Sequence, residues 1–553
     1  MPLTMFRKLV FLAMVGAAWS FAANAAPKTV CTITGNSPDE KETFRRHLPP
    51  GEYRFVELVE RGRPDWLASA CQQRVSCDAL IISGHFDGGE EFYTDRLDAS
   101  EYLSVEEMER ASCSESCPGV FSQLKEVYLF GCNTLKPEPR YNASAEIVRS
   151  LLRSGHSAAD AARLSELLGG RHAESNRDRM RNIFRNVPVI YGFSSKAPLG
   201  RSAGPLLERY FQSAPVGEVG SGQTSTKLLG LFAPSSMTVT PGLKDADAQA
   251  SLRSDVCHFV DDRLSDARKL GFVRELLQRD MAEVRMFLDH VERYIGSVGP
   301  ARRLAPKTAA AFAAIAGDHA ARERYLTFAR DADQPAVRAR MMALARNLGW
   351  LTPAQEQAEF MRMIADLLAG DRVGRDDVDL ACARGREGEP DPALHPLAAD
   401  VVRSGKVAPA AVLACLGSAQ AHSRVVRALT SPNAGDVALA QVYLRHRPLA
   451  DVGELRTVAA AIARLPTPDA QVRALDTLAR QRLADPESLR EITRLFPLAR
   501  SIDVQRAIAG ILIRSDHRVL GRSDLARSLQ QHRLKSPDGN DVIDALIRVL
   551  QSS

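Results

Sequence analysis

Two segments in the N-terminal half end on residues that can do nucleophilic chemistry. Ala79-Leu-Ile-Ile82 runs into Ser83-Gly84-His85-Phe86, and Val127-Tyr-Leu-Phe130 runs into Gly131-Cys132-Asn133-Thr134. Both apolar runs read as strands buried on both faces. One leads to a His and the other, 47 residues later, to a Cys. In a parallel α/β sheet the carboxyl ends of the strands share one rim, and ligands bind there. A thiol attacks once it is ionised, and an adjacent imidazole lowers its pKa or carries its proton. Small residues beside both let the backbone approach a substrate carbonyl. The pattern predicts attack by Cys132 with His85 as proton partner, chemistry that needs neither a metal nor an organic cofactor.

The surrounding elements are those of an α/β domain with a mostly parallel sheet. Thr29–Thr34, Tyr53–Val59, Ala79–Ile82, Val127–Phe130 and Val187–Tyr191 read as strands. Helical stretches lie between them at Ser37–His47, Pro64–Gln73, Ala143–Arg153 and Ala158–Leu168. Strands alternating with helices imply a parallel sheet. After Pro241-Gly242 the apolar spacing becomes helical and stays so to Leu550, with prolines at short intervals. Gln471-Val-Arg-Ala-Leu and Val504-Gln-Arg-Ala-Ile place Arg473 and Arg506 33 residues apart. Stacked helix pairs of this kind resemble HEAT repeats, an all-α solenoid-like region. Arg427, Arg473 and Arg506 are expected in salt bridges within it. Gly220-Ser-Gly-Gln-Thr-Ser-Thr-Lys227 has no Gly before its Lys and reads as a mobile loop, not a phosphate cradle. The expected organisation is 1–25 signal peptide, 26–245 α/β domain and 250–553 helical region.

The N-terminus carries Arg7 and Lys8, an apolar core from Leu9 to Ala18, and the small-x-small site Ala23-Asn24-Ala25. That is an export signal, with no membrane span left after cleavage. The mature chain is expected in the periplasm or medium of a bacterium. Of the 553 residues, 72 are basic and 67 acidic, a near balance without a basic block that argues against nucleic acid as partner.

Export makes the nine cysteines candidates for disulfides, and an odd count leaves at least one thiol unpaired. Cys71/Cys77 and Cys113/Cys117 are close enough in sequence to bridge locally. Cys382/Cys415 and Cys31/Cys257 are then the remaining pairs, and Cys132 the free thiol. The connectivity itself stays open at this level. No Cys/His spacing suits a metal.

The order strand-Ser-Gly-His, then strand-Gly-Cys-Asn-Thr, resembles the caspase-like cysteine peptidases: caspases, metacaspases, gingipains, separase and CHAT domains. In them the His ends one strand and the Cys the next, about 50 residues apart. Cys132-Asn133-Thr134 is most similar to CHAT domains, and Tyr191-Gly-Phe-Ser-Ser-Lys-Ala-Pro-Leu-Gly200 resembles the segment lining the family's substrate groove. The resemblance covers roughly residues 29–215, under half the chain. It implies a cysteine endopeptidase acting on a protein or peptide. Cys132 would be the nucleophile, His85 the proton carrier, and the amides of Cys132 and Phe86 the oxyanion donors. Gly84, Ser194 and Ser195 would line the groove. The family usually has Gly directly after the His, where this chain has Phe86. Members that prefer basic residues place acidic groups in the first pocket. Asp87, Glu90 and Glu91 lie near His85 in sequence, and none is assigned that role. Phe86 also supports a second reading, a non-catalytic platform whose helical region binds a protein partner.

Overall fold

The computed structural model describes residues 26–552 except 60–66, 68–70, 73–74, 87–88, 95–101, 139–143, 154, 173, 214–215, 248, 333, 371–372, 386–400, 402, 450, 481–482, 484, 516 and 536–540. The export signal expected at 1–25, Asp87, and most of the helix expected over Pro64–Gln73 lie outside the described residues.

Six strands form the central sheet: β1 (Lys28–Thr34), β2 (Tyr53–Val59), β3 (Ala79–Ser83), β6 (Glu126–Phe130), β7 (Val189–Phe193) and β8 (Met237–Thr240). Their spatial order is β2-β1-β3-β6-β7-β8. All neighbours pair in parallel except β7 and β8, which are antiparallel. The chain moves outward from β1 to β2, then returns to place β3 on the other side of β1. The crevice beyond the carboxyl ends of β1 and β3 is therefore the topological switch point, the usual ligand site of such sheets. A separate antiparallel pair, β4 (Glu91–Tyr93) and β5 (Tyr102–Ser104), follows β3. The sequence pattern missed β4, β5 and β8, each only three or four residues long.

Alternation along the strands makes two cores. On one face Ile81, Tyr128, Phe130, Tyr191 and Phe193 pack against α1 (Asp39–His47). They also meet two later helices, Gly200–Phe211 and Thr226–Phe232. On the other, Leu80, Ile82, Val127, Leu129 and Ile190 meet α2 (Val105–Ser114), α3 (Pro118–Phe121) and Asn176–Ile183. Glu126, at the start of β6, is buried and accepts from the amides of Gly220, Ser221 and Gly222. The glycine-rich loop expected to be mobile is thus clamped onto a carboxylate.

Four disulfides form: Cys31–Cys77, Cys71–Cys117, Cys113–Cys257 and Cys382–Cys415. Only Cys382–Cys415 pairs as expected. The local bridges Cys71/Cys77 and Cys113/Cys117, and Cys31/Cys257, do not occur. Cys31, on β1, meets Cys77, which lies just before the neighbouring strand β3, at a Cα separation of 5.7 Å. Once that contact is made, Cys71 is left for Cys117. These two bridges each span 46 residues and interlock. In the chain-entropy account each constrains the unfolded state by about 4 kcal/mol, well beyond what a local bridge supplies. Cys132 is the free cysteine.

Arg179, on Asn176–Ile183, is fully buried and bonds the Glu109 carboxylate through Nε and Nη2 at 3.0 and 3.3 Å. Its Nη1 donates to the Gly89 carbonyl at 3.0 Å and to Glu90 at 3.3 Å. Burial would push the Glu109 carboxyl up, but the guanidinium beside it holds it below the usual value. The cluster ties the segment following His85 to α2.

The chain divides into two compact units, one ending at Ala321 and the other starting at Arg322. The change to helical structure does follow β8, but helices from Ala250 to Ala316 belong to the first unit. Cys113–Cys257 binds the first of them to α2, and Arg253 donates to the carbonyls of Asn182 and Ser112. The second unit is helical. Val452–Ile462 packs on Pro486–Leu495, and Pro468–Ala479 on Ile502–Leu512, so next-but-one helices are neighbours. Arg506 pairs with Asp503 and Asp541. Arg427 and Arg473, expected to do the same, have no ion pair among the described residues, and the Nε of Arg473 is buried without a partner.

Non-reducing peptide mapping is expected to recover these four cross-links and one alkylatable thiol, Cys132; a Cys71–Cys77 or Cys113–Cys117 peptide would contradict the fold. Arg179→Met strands the buried Glu109 carboxylate. It is expected to lower stability in denaturant unfolding by about 3–5 kcal/mol, where a loss under about 1 kcal/mol would show the cluster to be unimportant.

Candidate functional site

Both sides of the site are set by the strands that precede them. β3 is buried along its whole length, and Gly84 continues it by donating to the Phe130 carbonyl at 3.1 Å. His85 then forms a single bridge with Tyr93 of β4, donating to and accepting from it at 2.9 and 3.0 Å. Phe86 is fully buried, its ring 4.5 Å from that of Phe92. Phe86 is therefore a core anchor for the turn after His85. Its amide has no acceptor among the described residues.

Cys132 sits in a turn just past β6. Asn133 takes φ +61°, a left-handed conformation that Asn tolerates better than most residues. Its amide donates to Ser195 O at 2.7 Å. Thr134, fully buried, donates to Gly131 O at 3.2 Å and accepts from the Phe193 amide at 3.0 Å. Asn133 and Thr134 thus lash the Cys132 turn to the end of β7. Gly131 has no room for a side chain: a Cβ there would lie 2.9 Å from both Gly84 O and the Phe86 Cβ. The Cys132 amide, like that of Phe86, has no acceptor among the described residues.

The two turns open on one cleft at the switch point. Its lining includes His85, Cys132, Asn36, Glu40 and Ala197–Gly200. The cleft has a volume of about 40 Å³, room for a few waters. The Ala197 amide donates to the Cys132 sulfur at 3.3 Å, so the segment after β7 lies over the thiol. Asn36, just past β1, contacts His85 Nε2 through its amide nitrogen at 2.9 Å. Which amide atom faces the ring depends on the imidazole's protonation; Oδ1 would face an imidazolium.

Of the residues expected at the site, His85, Cys132 and Gly84 share this cleft. The side chains of Ser194 and Ser195 do not line it; they bond to the Ser236 carbonyl and hydroxyl. Ala197, Pro198, Leu199 and Gly200 take the place expected of them. Glu90 is bound to Arg179, and Glu91 is on β4. Among the described residues no group of three or more His, Cys, Asp or Glu side chains is arranged to hold a metal.

Sequence reasoning missed Asn36 and Glu40. Glu40 stands in the first turn of α1, 3% exposed; the Ser83 hydroxyl reaches its side chain at 3.4 Å, and its own backbone amide also bonds the carboxyl. No cation pairs with it among the described residues. Burial pushes its carboxyl up to about 7, with Asp39 adding to the rise. The one signal in the sequence was an acidic residue in the helix that follows β1. Nothing there tied it to His85.

No protein-family model, curated protein or solved structure matches this chain.

From the ordinary carboxyl value of 4.5 up to about 7, the folded chain keeps a Glu40 proton that the unfolded chain has released. Stability contributed by this group therefore falls as pH rises through that window. Glu40→Gln is expected to remove this slope, gaining up to about 3 kcal/mol over the parent at about pH 8 and nothing below about pH 4. Denaturant midpoints measured across that range check it, and equal slopes in both proteins would refute the assignment.

Proposed function

We propose that the protein is an exported caspase-like cysteine endopeptidase in which Cys132 and His85 form the catalytic dyad. Cys132 gives its thiol proton to His85, its sulfur attacks the scissile carbonyl carbon, and the amides of Cys132 and Phe86 hold the resulting oxyanion. The C–N bond breaks as His85 gives its proton to the leaving amine. Water then attacks the thioester, His85 takes its proton, and the acid product leaves with Cys132 restored. Asn36 positions the imidazole through Nε2. The observation that carries this reading is one unpaired thiol, among nine cysteines, in the same cleft as a strand-end His. Four disulfides fit an oxidising compartment, and no helix among the described residues is long and apolar enough to cross a membrane. Glu40, a buried carboxyl without a cation, favours a substrate with a Lys or Arg side chain.

A second reading has its own support. A cleft of about 40 Å³ with the Ala197 amide on the thiol is too small to enclose a large substrate side chain unless Ala197–Gly200 moves. Without that movement the α/β unit is a platform, and the helical unit, with its HEAT-like stacking, binds a protein partner.

A peptide library with a thiol-directed peptidyl probe separates the two. Labelling is expected at Cys132, with turnover lost in Cys132→Ala. Lys and Arg peptides should be preferred, and Glu40→Gln should lower kcat/KM on them by about 30-fold relative to Ala peptides. No turnover and no labelling of Cys132 by any probe would leave the platform reading.

A further inference from the structure

A second cavity, of about 210 Å³, lies within the first unit between α2 and the helices Ala250–Val260, Asp266–Gln278 and Leu288–Ser297. Phe259 and Tyr294 form part of its wall, and Arg110, Lys269 and Arg293 all reach it from different helices. Lys269 is the informative residue. It is only 7% exposed, and its ammonium has no hydrogen bond or ion pair among the described residues, only the Tyr294 ring at 5.8 Å. A lysine held for structure normally meets a carboxylate, and one without a partner normally reaches solvent. This one faces the cavity, where Asp262, Asp266 and Asp261 act on its charge but none comes within ion-pair distance. The nearby Asp266 is already engaged by Arg302 and by the Tyr294 hydroxyl.

The two arginines also keep donors available. Arg110 makes no hydrogen bond among the described residues and approaches Asp262 and Glu107 only at 3.8 and 3.7 Å. Arg293 reaches Glu106 at 3.8 Å, while its other donors bond His290 Nδ1 and the Asp289 carbonyl. Burial holds the His290 imidazole down at about 4, so it adds no charge near neutrality. Glu106 and Asp262 offset part of the positive charge but stand beyond hydrogen-bond distance of the guanidinium groups.

We propose that this cavity binds a small molecule carrying a phosphate or carboxylate group, held by Lys269, Arg110 and Arg293, with its apolar part against Phe259 and Tyr294. An oxyanion there supplies the direct ion pair that Lys269 lacks and takes up the unused guanidinium donors. Asp262, at the rim, competes with it.

Calorimetric titration of the full chain with inorganic phosphate, and separately with succinate, at matched ionic strength tests this. Saturable binding of at least one anion is expected, with a rise in Tm of about 2–4 °C at ten times Kd. Phosphate binding alone would assign a phosphate-bearing ligand, and succinate binding alone a carboxylate. Lys269→Met and Arg110→Gln should each weaken binding about 10-fold or more, and Asp262→Asn should tighten it about 3-fold. If Lys269→Met does not fold, the half-exposed Arg110 and Asp262 variants decide. Failure of both anions to saturate, or affinities unchanged in the Arg110 and Asp262 variants, would overturn the proposal.

Discussion

A strand buried on both faces has no place for an unpartnered polar side chain, and the arrangement of this α/β unit follows from that constraint. β3 and β6 are closed off along their whole length. Their polar chemistry is displaced to the residues just past their carboxyl ends, and parallel pairing puts those ends side by side. Asn36, His85 and Cys132 come from the turns after β1, β3 and β6, and they meet because those three strands are neighbours.

The turns are held by different means. The His85 turn is anchored from below by Phe86 in the core and from the far side by Arg179, which grips Gly89 and Glu90. The Cys132 turn is held by hydrogen bonds through Asn133 and Thr134 to the end of β7. The segment that follows β7 closes over the thiol. The turns that carry His85 and Cys132 are thus each fixed to the sheet, and Ala197 is held to Cys132 by its amide. Glu40 adds an unneutralised carboxyl to a space that small. Burial keeps that carboxyl protonated to about pH 7, so its charge is expressed only above it.

The interlocked bridges Cys31–Cys77 and Cys71–Cys117 tie β1 to the segment before β3, and that segment to the region between β3 and β6. Cys113–Cys257 carries the same network into the helices after β8, so these helices form one compact unit with the sheet. All three bridges join positions distant in sequence, and none closes a short loop.

The sequence by itself determined the buried strands, the alternation of strand and helix, the change to helical structure after β8, and the two turns that carry His85 and Cys132. Those features are local: apolar runs, breakers and the residues that end them. Cysteine parity also required at least one unpaired thiol. Tertiary structure decided everything that depends on which surfaces meet. Cys71 and Cys77 are six positions apart, yet Cys77 lies against Cys31 across neighbouring strands. Glu40 and Asn36 reach the cleft only because β1 lies beside β3. Ser194 and Ser195 follow β7 as expected, but the antiparallel approach of β8 brings Ser236 to them and leaves the cleft to Ala197–Gly200. Spacing along the chain carries no record of such contacts, because they are fixed by strand order and helix packing and not by neighbouring residues.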